Sequence, residues 1–235
     1  MTDTFDFGRF DALTFDCYGT LIDWETGLST ALRALLEPRG ATPGHDALLE
    51  TYARLEAEAE RPPYRTYREV LAFAGRGVAA TYGVEPTEDE IGTFSGSVVD
   101  WPAFRDSPAA LALLKTRFRL GVLTNCDDDL FAASNRRLGV VFDWIVTAQQ
   151  ARGYKPALAN FELLFERLGL PRHRILHVAQ SLYHDHVPAK ALGLSSIWID
   201  RRHDRAGTGA TPQADASPDL TFPDMAAFAA AATEP

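Results

Sequence analysis

The sequence predicts an α/β protein, a parallel-sheet core interrupted by an all-helical insert. Short apolar runs alternate with stretches of helical periodicity along most of the chain, which is the rhythm of βαβ units. After Asp23 that rhythm lapses, and helical patterning continues with no convincing strand until it returns past Pro108. These two observations assign residues 1–23 and 104–235 to the core and residues 24–103 to the insert.

The first strand, Ala12-Leu13-Thr14-Phe15, stops abruptly at Asp16. A Tyr18-Gly19-Thr20 turn follows, where Gly19 allows backbone geometry closed to other residues. A carboxylate there sits where open α/β sheets bind ligands, beside the carboxyl ends of their strands. In the insert, Leu28, Leu32, Leu35 and Leu36 keep helical spacing, as do Leu48, Leu49, Tyr52 and Leu55. Pro38-Arg39-Gly40, Pro43-Gly44, Pro62-Pro63 and Tyr82-Gly83 mark the breaks. Further strands are predicted at Arg119–Asn125, Trp144–Thr147, Ile175–Gln180 and Ser196–Asp200, with Asp219–Phe222 as a sixth. Helices such as Asp129–Leu138 and Asn160–Leu168 separate them, which implies right-handed crossovers and a parallel sheet. His203–Pro218, rich in Gly, Ala, Pro and Asp, reads as a surface loop.

Composition narrows the function. Acidic residues outnumber basic ones by 32 to 23 and no Lys/Arg-rich run is present, so nucleic acid and anionic membranes are poor partners. The longest apolar run, Met225 to Ala232, is far short of the roughly 20 residues needed to span a bilayer. The N-terminus carries Asp3 and Asp6 and lacks the apolar core of a signal peptide. Cys17 and Cys126 form no Cys-x-x-Cys pair and read as free thiols of a reducing compartment, so a cytoplasmic location is expected.

Four strand ends deliver polar groups: Asp16, then Thr124-Asn125, then Lys155-Pro156, then Gln180-Ser181 with Asp185. Packing alone does not explain such a set. In this order it resembles the haloacid dehalogenase superfamily of aspartate-nucleophile hydrolases. Asp16-Cys17-Tyr18-Gly19-Thr20 is similar to its first motif, Leu123-Thr124-Asn125 to its second, Tyr154-Lys155-Pro156 to its third, and the stretch through Asp185 to its fourth. The resemblance covers nearly the whole chain and is greatest to the 2-haloacid dehalogenase branch. It implies a Rossmann-like core with the insert as a helical cap over the active site. It also implies that Asp16 attacks an electrophilic carbon and forms an ester, which water then hydrolyses.

The same resemblance distributes the roles. Lys155 is the expected electrostatic partner of Asp16, keeping it ionised and stabilising charge that develops during ester hydrolysis. Thr20 is expected to orient Asp16, and Asp185 to position the hydrolytic water or anchor Lys155. Thr124 and Asn125 can donate to a substrate carboxylate, with Tyr18, Gln180 and Ser181 completing the substrate-binding set. Dehalogenases of this branch receive the halide on a cap arginine, for which Arg54 and Arg61 are the candidates. Glu56, Glu58 and Glu60 beside them support an alternative, a salt-bridged solvated face, and Arg54 is the preferred candidate because it shares a helix with Leu48, Leu49, Tyr52 and Leu55. Trp24, Tyr64, Tyr67, Trp101 and Phe104 are candidates for the pocket wall.

Departures from the family pattern matter most. Superfamily phosphatases carry a second Asp two residues past the nucleophile, and it protonates the departing alkoxide; this chain has Tyr18. General acid help is worth about 10²–10⁴-fold to an alkoxide, whereas a halide leaves without a proton. The substitution therefore fits a hydrolase of short 2-haloalkanoic acids, with a small anionic substrate, no cofactor and no metal. The alternatives are a Mg²⁺-dependent phosphatase, its ion held by Asp16, Asp185 and a backbone carbonyl, or a hydrolase of another activated carbon. The fourth motif lacks the Ser-Asn pair of dehalogenases, since Leu182 follows Ser181, and Phe161 stands where the family has a tyrosine. His184 and His186 flank Asp185, but two histidines at i and i+2 on a helix diverge, which favours packing over metal ligation. Members of the family are often homodimers, which leaves a homodimer open here.

Overall fold

The computed structural model describes residues 5–204 and 214–234. Six strands form one parallel sheet: β1 (Ala12–Phe15), β2 (Arg119–Thr124), β3 (Trp144–Thr147), β4 (Ile175–Ala179), β5 (Ser195–Ile199) and β6 (Leu220–Phe222), in the order β3-β2-β1-β4-β5-β6. The chain winds from β1 through β2 to β3 at one edge, then crosses back to β4 and proceeds to the other. That reversal opens a crevice at the carboxyl ends of the central strands. Phe15 pairs with Val122 on one side and Val178 on the other, so the loops after β1, β2 and β4 leave the sheet side by side.

Among the described residues ten α-helices accompany the strands: α1 (Trp24–Leu36), α2 (His45–Ala59), α3 (Tyr67–Thr81), α4 (Glu88–Gly96), α5 (Ser107–Lys115), α6 (Asp128–Leu138), α7 (Ala148–Ala151), α8 (Leu158–Leu168), α9 (Val187–Ala191) and α10 (Met225–Thr233). All four residues of β1 are buried, because both faces of the sheet are covered. Ala12, Leu123, Val146 and Ile175 pack with Phe161, Leu164 and Leu168 of α8 on one face. Leu13, Phe15, Val122 and Val178 belong to the other apolar cluster, with residues of α5, α6 and α10. That second cluster continues without a break into the insert, through Leu28, Leu32, Tyr52, Val70 and Phe94.

The element boundaries agree with the sequence reading to within one or two residues. Asn125, Gln180 and Asp200 leave the sheet where strands had been expected to include them, and α6 and α8 begin at Asp128 and Leu158 rather than at Asp129 and Asn160. Of the expected loop His203–Pro218, residues 205–213 lie outside the described residues.

Residues 24–103 contribute helices and no strand of the sheet. Asp23 caps α1 through the Thr26 amide, and capping boxes Thr66/Glu69 and Thr87/Glu90 start α3 and α4. Gly27 is required by packing, since a Cβ there would lie 2.3 Å from the Trp101 ring. The insert is tied to the sheet end by Asp127, whose buried carboxylate accepts from the Tyr67 and Arg68 amides at 2.9 and 3.0 Å. A carboxylate at a helix N-terminus satisfies amides that have no intrahelical partner. No helix among the described residues is long and apolar enough to cross a membrane.

Candidate active site

Asp16 follows β1 directly, and its amide still donates to Val178 O, so the sheet fixes its backbone. The chain then reverses: Leu21 and Ile22 both donate to Cys17 O, and Gly19 takes a φ of +97°, which favours glycine. The turn brings Thr20 back over the nucleophile position. Its hydroxyl donates to Asp16 Oδ2 at 2.6 Å and accepts from the Gln180 amide at 2.9 Å, tying the loop after β1 to the loop after β4.

Lys155 arrives from the opposite side. Asn125, just past β2, clamps its backbone from both ends, donating to Lys155 O at 3.1 Å and accepting from Lys155 N at 2.7 Å. The buried ammonium then spends its three protons on Asp16 Oδ1 (2.8 Å), Asp185 Oδ1 (2.7 Å) and Leu123 O (2.9 Å). Asp185 sits in a π-helical turn, Leu182–His186, whose start is capped by the Ser181 hydroxyl. Its Oδ1 also pairs with His177 Nε2 at 3.0 Å, and His177 Nδ1 pairs with Thr14 Oγ1 on β1. Asp185 Oδ2 is buried and has no hydrogen-bond partner among the described residues.

The charges settle unequally. Burial pushes the Asp16 carboxyl upward and the neighbouring Asp185 charge adds to this, while the Lys155 ammonium and the Thr20 hydroxyl pull it back. Asp185 is held well below the usual carboxylate range: burial opposes this, but the Lys155 charge and the His177 contact outweigh it. Lys155 is raised despite burial by the two carboxylates beside it.

These groups floor a cavity of about 90 Å³. Asp16, Tyr18, Asn125, Lys155, Gln180, Ser181, His184 and Asp185 come from the sheet end; Trp24 comes from α1, Ala53, Glu56 and Ala57 from α2, Glu60 from its C-cap, and Tyr67 from α3. The structure thus brings together Asp16, Thr20, Lys155 and Asp185, with Tyr18, Asn125, Gln180 and Ser181 around them. Tyr18 points its hydroxyl away from chemistry, at Ser134 Oγ (3.0 Å) and Cys126 Sγ (3.3 Å).

Three expectations need correction. Arg54 and Arg61 are exposed and do not line the cavity. Successive residues of an α-helix are turned by about 100°, and the cavity face of α2 is the one carrying Ala53, Glu56 and Ala57. Glu56 and Glu60, read as part of a solvated face, are therefore wall residues. Their i, i+3, i+4, i+7 spacing with Ala53 and Ala57, beside the apolar stripe Leu48-Leu49-Tyr52-Leu55, was the available signal. Thr124 is fully buried beneath the cavity and does not line it.

Other side chains were placed only by the fold. His184 lines the cavity, with its ring against Ser181 Oγ, and burial pulls it down to about 4. His186 turns away into the core, between Ser196 Oγ and Ala179 O. Of the five aromatics, Trp24 and Tyr67 reach the cavity, whereas Tyr64, Trp101 and Phe104 do not. Glu56 Oε1 accepts from the Tyr52 and Tyr67 hydroxyls at 2.9 and 3.0 Å. Burial pushes Glu56 and Glu60 upward, with the Glu56 charge adding to the shift at Glu60.

Comparison with known proteins follows the same lines. A model of the haloacid dehalogenase-like hydrolase family matches residues 10–193. Haloacetate dehalogenase H-2 of Moraxella sp. (strain B) is 26% identical over 230 residues, covering 94% of this chain and 96% of that protein. Haloacid dehalogenase-like hydrolase domain-containing protein 3 of Danio rerio is 30% identical over 106 residues, 44% of this chain and 43% of that protein. The L-2-haloacid dehalogenase of Xanthobacter autotrophicus, solved with chloropropionic acid covalently bound, superposes with a TM-score of 0.77 at 21% identity over 94% of this chain and 97% of that one. At that identity the structural likeness is one of fold.

Proposed function

The chain belongs to the haloacid dehalogenase-like hydrolases, and we propose that within them it cleaves the carbon–halogen bond of short 2-haloalkanoic acids through an ester on Asp16. Attack by the Asp16 carboxylate on the halogen-bearing carbon expels halide with the bonding pair. Water then attacks the ester carbonyl, which returns Asp16 and releases the hydroxy acid and a proton. Lys155 stabilises the charge that gathers on the ester oxygen, and Thr20 holds the other carboxylate oxygen in register. Asp185 anchors the Lys155 ammonium, and a carboxylate held so low is a poor base for the hydrolytic water.

Tyr18 carries the choice of leaving group. The position two residues past Asp16 holds a phenol committed to Ser134 and Cys126, so no carboxylic acid stands there to protonate an alkoxide. The donor set also fits Mg²⁺ poorly. The Lys155 ammonium already lies between Asp16 and Asp185, where it would repel a divalent cation, and Thr20 donates to the second oxygen of Asp16. The buried free thiols Cys17 and Cys126 suit a cytoplasmic protein.

The test is halide release from chloroacetate and 2-chloropropanoate without added metal, with Asp16→Asn as the control. Release that depends on Asp16 supports the reading. Silence across chloro-, bromo- and fluoro-acids, together with phosphate release from an aryl phosphate that EDTA abolishes, would replace it with a phosphatase.

A further inference from the structure

We infer that Arg201, just past β5, is a positioning residue for the nucleophile: by gripping the Thr20 carbonyl it holds the Thr20 hydroxyl on Asp16. The role rests on the Asp16 reading, and it adds a fifth strand end to that site.

Thr20 has two tasks for its side chain and little to hold its backbone. Its hydroxyl donates to Asp16 Oδ2 at 2.6 Å and accepts from the Gln180 amide at 2.9 Å. Among the described residues its own amide donates to nothing, and its carbonyl accepts only from Arg201, from Nη2 at 2.8 Å and from Nε at 3.2 Å. A hydroxyl one rotatable bond from the main chain follows every displacement of the peptide that carries it. The short contact to Asp16 therefore depends on what fixes the Thr20 peptide, and that is Arg201.

The grip is anchored on three sides. Arg201 Nη1 meets both oxygens of Asp106, at 3.0 and 2.9 Å, and Nη2 reaches Ser107 Oγ at 3.3 Å. Asp106 is pinned in turn at the start of α10, where Oδ2 accepts from the Met225 and Ala226 amides. The guanidinium carbon lies 4.0 Å from the centre of the Phe104 ring, and the Phe104 amide donates to Leu21 O, the next carbonyl of the same loop. Only 10% of the Arg201 side chain is exposed, which shields these bonds from water. A planar guanidinium that donates in two directions at once fixes distance and angle together, which a lysine ammonium does not. Arg201 does not line the cavity around Asp16, so it acts on the nucleophile through Thr20 and not on the substrate.

The experiment is a double-mutant cycle on the full chain, with kcat and KM for halide release from 2-chloropropanoate in wild type, Arg201→Met, Thr20→Val and the double variant. Arg201→Met should lower kcat about 10-fold or more, as small misplacements at a reacting centre do, with KM changed by no more than about twofold. In the Thr20→Val background the same substitution should lower kcat by no more than about twofold, because the group it acts through is gone. Arg201→Lys keeps a donor and gives the same reading, with a smaller loss, if the Met variant does not fold. A kcat loss that persists undiminished without the Thr20 hydroxyl, or a loss confined to the melting temperature, makes Arg201 a structural tie and overturns the inference. A second arm needs no turnover: carbon NMR follows the titration of the Asp16 carboxyl, identified by its disappearance in Asp16→Asn. The Thr20 hydroxyl pulls that carboxyl down. Arg201→Met should thus move its midpoint up by about one unit, the order of one hydrogen bond to a charged group, and should not move it in Thr20→Val. If wild type releases no halide, the Asp16 reading falls and the midpoint alone decides; a midpoint unmoved by Arg201→Met sinks the positioning role.

Discussion

Lys155 Nζ lies 2.8 Å from Asp16 Oδ1, although 139 positions separate the two residues in the chain. The contact joins the end of β1 to the loop beyond β3, across β2, and it is buried at both ends. A buried ammonium is tolerated only where its charge is matched. Here it faces two carboxylates, and its charge opposes the effect of burial on Asp16.

Lys155→Met is therefore expected to do more than slow the reaction. It leaves Asp16 and Asp185 buried next to each other with no counter-charge, and removing one partner of a buried pair costs about 3–5 kcal/mol. Thermal melting should show a large loss of stability along with loss of halide release. A variant that melts like wild type would mean that the bridge is not formed in solution.

Thr20→Val should lower activity and stability together, because one hydroxyl serves both Asp16 Oδ2 and the Gln180 amide. An unpaired buried donor costs about 1–3 kcal/mol, and Thr20→Ser should restore most of it. Equal melting temperatures for the Val and Ser variants would rule the double role out.

The acid limb of kcat/KM should fall above pH 3.8, the ordinary aspartate value. Asp16 must be ionised to attack, and burial raises its folded-state value, so activity is lost as pH drops through that raised value. A limb at or below 3.8 in the free enzyme would contradict the desolvated nucleophile.

His186 sets a window in stability. Its Nε2 faces a carbonyl and must donate, so Nδ1 accepts from Ser196 and the ring is neutral; burial pulls it down to about 4 from 6.5. Between those values the unfolded chain binds a proton that the folded one refuses, so stability declines as pH falls from 6.5 towards 4. His184 acts with the same sign. Denaturation curves against pH should show this slope, reduced by about one proton in His186→Asn.

Arg54→Ala and Arg61→Ala should change kcat/KM by no more than about twofold and stability by about 0.5 kcal/mol or less, as exposed residues usually do. A loss of about 10²-fold in either, the scale for a preorganised donor at the reacting centre, would mean that α2 turns its other face to the cavity.

The sheet and the central residues were legible in the chain because each is encoded locally. A strand that stops at a carboxylate announces Asp16, and four such strand ends announce a shared crevice, since a parallel sheet gathers its carboxyl ends on one side. Tyr18, set against the family's first motif, likewise declared that the usual acid is missing. The opposite wall was decided by packing. Periodicity along α2 marks the apolar stripe through Leu48, Leu49, Tyr52 and Leu55, but polar residues border that stripe on both sides. Arg54 lies about 160° from Glu56 and about 120° from Glu60 on the helix, and the spacing of the two acids with Ala53 and Ala57 was the one local sign that their side is the inner one. Only the way the insert seats on the sheet end, held by Asp127 at the start of α3, turned the acids inward and left the arginines to solvent.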